Sequence, residues 1–406
     1  MRMLKMVIAG VATAATLALT VGVAVADPIN AKTGKTIEPR ACDVVGAGSN
    51  TIEYLMSQYS LNYNKALLKA HKGISQTQSC AKESRPFFYS WDALQNSAAS
   101  SSPLIALKKG CAKIERPNGS SAGIADLTNV KVKDPSNHKS YPCLDFARSS
   151  RASKSTDPTN VTFVPLALDN VTYATVKGGN APANLTTADL KKIYLCTATT
   201  WNQVGGRSTA TIHPLLPQSG SGTLAFFEAA IGVTTPGSCV VQPATLEENE
   251  GVNAVFRGPN AKNLLIPFSA GKWVAQAYHS AACSRSGCGT DSSGVTILCK
   301  KPTKTQNTYG CDVNGPMVLN SINSTSPIVG KGSKTVLSSK FTIGFVRALY
   351  AVVRATHAIP KNVNAFFGRY NKKTNPNTIC SPTNQKTIIP DYGFRANPAC
   401  GVPGAF

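Results

Sequence analysis

Strands and helices alternate along this chain, and the turns that join them are unusually bare. FVPLALDNVTYATV (163–176) is apolar and β-branched, the composition of buried strands. NLTTADLKKIYLC follows, where Thr186 or Thr187 caps a helix whose apolar face holds Leu190, Ile193 and Tyr194. NLLIPFSAGKWVAQAYHS repeats the strand-to-helix order, and KFTIGFVRALYAVVRA supplies a last buried strand or helix. Nearer the start, TIEYLMSQYSLNYNKALLKA sets Ile52, Leu55, Met56, Tyr59, Tyr63, Ala66, Leu67 and Ala70 near one helix face. Residues 85–110 read as partly helical, broken by NSAASSSP. Such alternation folds as α/β layers with largely parallel sheets.

The turns share a chemistry. GAGSNT (46–51), NGSSAG (118–123), ARSSR (147–151) and SGSGT (219–223) combine glycine with hydroxyl side chains, and at least the first and last stand directly before helices. A helix start leaves backbone N–H groups without intrahelical partners and carries the positive end of the macrodipole. Glycine lets the backbone approach closely, hydroxyls add donors, and together they suit a small anion. Arg148 and Arg151 add formal positive charge to the third loop. The competing reading of each loop alone is a plain helix cap, with the arginines on the surface.

Two features bound the compartment. Arg2 and Lys5 precede an apolar run from Met6 to Val25, and Ala24-Val25-Ala26 offers a small-residue cleavage site before Asp27. That is the pattern of a secretory signal peptide, an uncleaved anchor being the alternative. No later segment is apolar for long enough to cross a bilayer. All 12 cysteines lie beyond the cleavage site, and an even count in an exported chain points to disulfides. Spacing does not fix the pairing; Cys299–Cys311 and Cys380–Cys400 are the simplest neighbour pairs. No histidine sits beside a cysteine pair, so neither a metal nor another cofactor is expected. The net charge of +22, which falls to +20 without Arg2 and Lys5, favours anionic partners without choosing among them. No basic helix or aromatic–basic sheet motif appears, which argues against nucleic acid.

GAGSNTIEYLMSQYSLNYNK, LDFARSSRAS, NLTTADLKKIYLCTATTWNQ and SGSGTLAFFEAAIG, in this order, resemble segments of the phosphate-binding proteins of ABC uptake systems. The chain looks like a divergent, cysteine-rich, actinobacterial-type member of that type II periplasmic-binding-protein superfamily. The resemblance runs from about Cys42 to Ala282, and Cys196 stands where the family normally has glycine. It implies an α/β fold of two lobes with a ligand cleft between them. Residues 1–26 are then the signal peptide, 27–41 a flexible tail and 42–170 the first part of lobe 1. Lobe 2 spans 171–299, and 300–406 returns to lobe 1 and adds a C-terminal extension. Carried across position by position, the ligand-binding residues are Ser49, Asn50 and Thr51, Ser120, Ser149 and Ser150, and Ser221, Gly222 and Thr223. Arg148 is added as a compensating charge. Two departures stand out. The family usually has an aspartate at the position of Ser150, and an arginine–aspartate stretch where this chain has Pro217-Gln218-Ser219.

The resulting expectation is an exported, monomeric solute-binding protein that captures phosphate or a phosphate-like anion. An ABC permease is its possible partner. The alternative is a cell-surface protein that holds a wall polymer or protein partner. A hydrolase is disfavoured, because the G-x-S-x-G elbow needs glycine where Ser219 stands. None of His71, His138, His213, His279 and His357 lies in a recognised catalytic pattern.

Overall fold

A computed structural model describes residues 27–80, 85–93, 104–244, 246–251, 253–278, 314–355 and 359–405. Residues 1–26, expected to be a signal peptide, most of the cysteine-dense insert with the Cys299–Cys311 pair, His279 and His357 lie outside the described residues.

A nine-stranded sheet organises the described residues, and one strand makes them two-lobed. Val161–Val176 runs for 16 residues. Up to Asn170 it pairs with Val346–Arg354; from Val171 onward it pairs with Leu264–Ser269. Lobe 1 extends the first half through Phe146–Ser149, Val44–Gly48 and Phe88–Ser90. Lobe 2 extends the second half through Leu264–Ser269 to His213–Pro214 and also takes on Met317–Leu319. The outer pairings are parallel, but the two crossing strands are antiparallel to each other. A chain that leaves one lobe and later comes back must run the second crossing in reverse. The sheet is therefore mixed at its centre rather than largely parallel throughout.

Each half of the sheet is covered on both faces. In lobe 1, Val44 and Phe88 point into the core under the helix Glu53–Ala70, while Val45 and Tyr89 point into the opposite core with Leu107 and Ile124. That alternation is the period of two of a strand. Phe88 stacks on Phe146 at 5.1 Å between ring centroids. A Cβ on Gly46 would lie 2.0 Å from the Phe146 ring, so the first glycine of GAGSNT serves packing. In lobe 2, Leu265 joins Leu190, Trp201 and Phe227 on one face, and Leu264 and Ile266 join Phe256 and Trp273 on the other. The helix Thr187–Tyr194 begins with a capping box between Thr186 and Asp189.

Several segments differ from expectation. Residues 27–41 are not a loose tail: Ile29 bridges Thr36, Ala31 N–H donates to Gln76, and Arg116 pairs with Asp27. Residues 314–345 belong to lobe 2 rather than to a lobe 1 return. Met317–Leu319 pairs with Ala174–Val176, and Ile322, Phe341 and Phe345 pack with Trp201. The return starts at the crossing strand Val346–Arg354, because that strand is where pairing with lobe 1 begins. Phe88–Ser90 is a strand in a stretch read as partly helical. Among the described residues, no helix is long and apolar enough to cross a membrane.

The described residues hold the disulfides Cys42–Cys80, Cys111–Cys143, Cys196–Cys239 and Cys380–Cys400, which fit an oxidising compartment. Cys196 has φ +61°, the left-handed region, just past the end of its helix. Glycine is favoured there, so the cysteine carries strain that its bridge to Cys239 sustains. Opening Cys111–Cys143 by serine substitution should cost about 3–4 kcal/mol. Cys196→Gly with Cys239→Ser should cost about 1 kcal/mol less, because glycine relieves the left-handed residue. Thermal unfolding midpoints of the two double variants check the order.

Candidate functional site

Strands Val44–Gly48 and Phe146–Ser149 are parallel neighbours, so the loops that leave them emerge at the same sheet edge. Ser49 and Ser150 meet there, with Ser49 Oγ donating to Ser150 Oγ at 3.0 Å. Ser120, the first residue of the short helix Ser120–Ala125, accepts from Ser150 N–H at 3.0 Å and lies 3.3 Å from its hydroxyl. The lobe 2 loop closes against this group: Ser121 N–H donates to Gly220 O at 3.3 Å. A Cβ on Gly222 would stand 2.3 Å from both Ser120 Oγ and Ser150 Oγ, so only glycine lets the helix Gly222–Ile231 start this close to lobe 1. Ser221 caps that helix, accepting from Thr223 N–H and Leu224 N–H.

Thus Ser49, Asn50, Thr51, Ser120, Ser150, Ser221, Gly222 and Thr223 come together between the lobes, all of them buried. Arg148 and Ser149 belong to the framework. Arg148 donates to Ser49 O, Gly48 O, Ser90 Oγ and Trp91 O, fixing the first loop from behind. Burial pushes its guanidinium down to about 10, against the pull of Glu53 and Asp92, so it stays cationic at neutral pH. Ser149 turns its hydroxyl to Arg151 O, and Arg151 pairs with Asp157.

The charges that do reach the cradle have no motif. Arg347, on the returning strand, donates to Thr223 Oγ1 at 2.8 Å and to Ser150 O at 2.9 Å, and its other edge pairs with Asp169 at 2.8 Å. It therefore takes the place next to the cradle that Arg148 was expected to fill. Lys272 Nζ lies 3.4 Å from Asn50 O, 4.0 Å from Glu53, and over the Tyr54 ring.

A carboxylate sits in the middle. Glu248, fully buried, accepts from Thr51 Oγ1 at 2.8 Å, Thr223 Oγ1 at 3.0 Å and Ser221 Oγ at 3.1 Å. Its neighbour Glu247 accepts from Asn118 Nδ2 at 2.8 Å and from Asn50 Nδ2. The one sequence signal for this pair is the run EENE (247–250), three acids together in a chain with 20 acidic residues against 42 basic ones. Gln218, whose backbone carbonyl accepts from Ser221 N–H, is 5 % exposed, and its Nε2 has no hydrogen-bond partner among the described residues.

Behind the first loop lies Asp92. Burial pushes its carboxyl well above the usual carboxylate range; Glu53 and Asp27 push the same way, against Arg148 and Arg116. The folded chain therefore holds a proton that the unfolded chain releases. This contribution to stability is full below about pH 4 and is lost as pH rises through the folded-state value. Asp92→Asn should raise the unfolding midpoint at pH 8 and change it little at pH 4, which a pH series of thermal melts checks.

Residues 95–262 match a family model described as the PBP superfamily domain. The matched stretch takes in the Ser120, Ser150 and Ser221 loops, the crossing strand and Glu247–Glu248. No curated protein matches the chain by sequence. Among solved structures, it is similar to an ABC-type phosphate transport receptor from Vibrio cholerae. Identity there is 15 %, coverage is 87 % of this chain and 100 % of that one, and the TM-score is 0.49. It is also similar to PstS from Borrelia burgdorferi (16 %; 87 % and 98 % covered; TM-score 0.40). A third is the phosphate-binding protein from Stenotrophomonas maltophilia (13 %; 88 % and 91 %; TM-score 0.41).

Proposed function

We propose that the protein is an exported solute-binding protein that captures a small oxyanion between its lobes, with inorganic phosphate as the leading candidate. The observation that carries this reading is the seat of Glu248. Hydroxyls from both lobes already converge on a buried anion there, with Arg347 behind them. Donors fixed before the ligand arrives, in a site closed to water, suit an anion far better than a neutral solute. Gln218 Nε2 adds a buried donor in want of an acceptor. The four motifs that resemble phosphate-binding proteins of ABC uptake systems support phosphate as the first oxyanion to test and a permease as recipient. The Ser221 hydroxyl donates to the Glu248 carboxylate and caps a helix, the two contacts a binding group at this seat would make.

Titration calorimetry with inorganic phosphate, sulfate and a phosphate monoester tests the reading. Phosphate should bind with measurable heat, and silence with all three would count against an oxyanion receptor. A second reading, a surface protein that holds a wall polymer or protein partner, draws its support from the same Glu248, since a filled cradle suits a chain that no longer carries a small anion. Silence in calorimetry together with retention of the protein in the cell wall would favour it.

A further inference from the structure

We infer that Glu247 and Glu248 form an internal latch. The Glu248 carboxylate is a tethered ligand of the cradle, holding the lobes closed until an incoming oxyanion takes its seat. This rests on the receptor reading above and adds a competitor to it.

The geometry separates the two ends of the latch. Residues 246–251 belong to lobe 2: Leu246 is buried among its apolar side chains, and Leu246 O accepts from Gln218 N–H at 2.7 Å. From that anchor both carboxylates reach across. Glu247 takes donors from Asn50 and Asn118, both of lobe 1. Glu248 takes Thr51 from lobe 1 and Ser221 and Thr223 from lobe 2. One carboxylate thus satisfies hydroxyls from both lobes at once, which is the task of an external anion in a closing cleft. Because Thr51, Ser221 and Thr223 already donate to Glu248, a phosphate using the same hydroxyls must displace it.

Displacement is a side-chain event. Leu246 keeps the backbone in place, and rotation of the Glu248 side chain vacates the seat. A competitor that fills the seat in all but a tenth of molecules weakens apparent affinity about tenfold. The latch thus adds carboxylate bridges between the lobes to the contacts made by Ser121 and Arg347.

The test uses the full mature chain, with inorganic phosphate as probe. Calorimetry compares wild type with Glu248→Ala and Glu248→Gln, and small-angle scattering compares wild type with Glu247→Ala/Glu248→Ala. Glu248→Ala should bind phosphate about tenfold tighter or better, with Glu248→Gln between it and wild type. Without phosphate, the double variant should show a larger radius of gyration than wild type, and phosphate should return it to the wild-type value. Phosphate binding by Glu248→Ala no tighter than by wild type overturns the competition. A ligand-free double variant as compact as wild type overturns the latch. If neither wild type nor any variant binds phosphate, the receptor reading falls and the displacement step with it; binding by all with equal affinity removes the competition and leaves the receptor reading standing.

Discussion

Arg347→Ala should be the most damaging single substitution in the cleft, lowering stability by about 3–5 kcal/mol. Arg347 is almost fully buried on the returning crossing strand, and its guanidinium joins three elements. It pairs with Asp169 on the other crossing strand, donates to Ser150 O in lobe 1, and donates to Thr223 Oγ1 in lobe 2. Asp169 also accepts from Ser269 Oγ and Gly271 N–H, so it would remain in place as a buried charge without its counter-ion. Most of the penalty comes from that stranded carboxylate rather than from the contacts removed. Arg347→Ala combined with Asp169→Asn should therefore recover part of the loss. Chemical denaturation midpoints of the single and double variants measure it, and equal loss in both would mean that the pair is not coupled.

The second large effect concerns affinity. In the Glu248→Ala background, adding Ser221→Ala and Thr223→Val should weaken phosphate binding by about two to four orders of magnitude. Hydrogen bonds to a charged partner contribute roughly 1.5–3 kcal/mol each, and about 1.4 kcal/mol is a factor of ten. In the wild-type background the loss should be smaller, because the internal carboxylate loses the same two donors as the ligand. Calorimetry on the two backgrounds separates these cases. Ser221→Ala also removes a helix cap, at about 1 kcal/mol of stability, so titrations are run well below the unfolding midpoint.

How much of this was legible in the sequence follows from the range of each interaction. The helix after Thr186, the strand 163–176 and the strand-to-helix step at 264–278 are written in local periodicity and capping, and all three are present. The convergence of the four loops was legible only through the alternation of strands and helices, which brings strand ends to one edge. The charges were not. Arg347 and Asp169 lie in apolar strands, 178 residues apart, and nothing local marks them as a pair. Arg148 stood inside a motif and looked the better ligand, yet the parallel pairing of its strand with Val44–Gly48 turns its guanidinium onto loop carbonyls. The aspartate absent at Ser150 suggested a cradle without a carboxylate. One is supplied from Glu248 instead, 98 residues downstream, in a run that carries no helix or strand pattern. The same long-range logic explains residues 27–41: polar and aperiodic in sequence, they are held by Gln76 and Arg116.

The central claim is that hydroxyls of both lobes make an anion seat that Glu248 fills when nothing else does. A crystal structure of Glu248→Ala grown with inorganic phosphate tests it most directly. Phosphate oxygens should lie within hydrogen-bond distance of Thr51, Ser221 and Thr223, with the two lobes still closed. Phosphate absent from that seat at saturating concentration, or bound elsewhere while water fills the space left by Glu248, would contradict it.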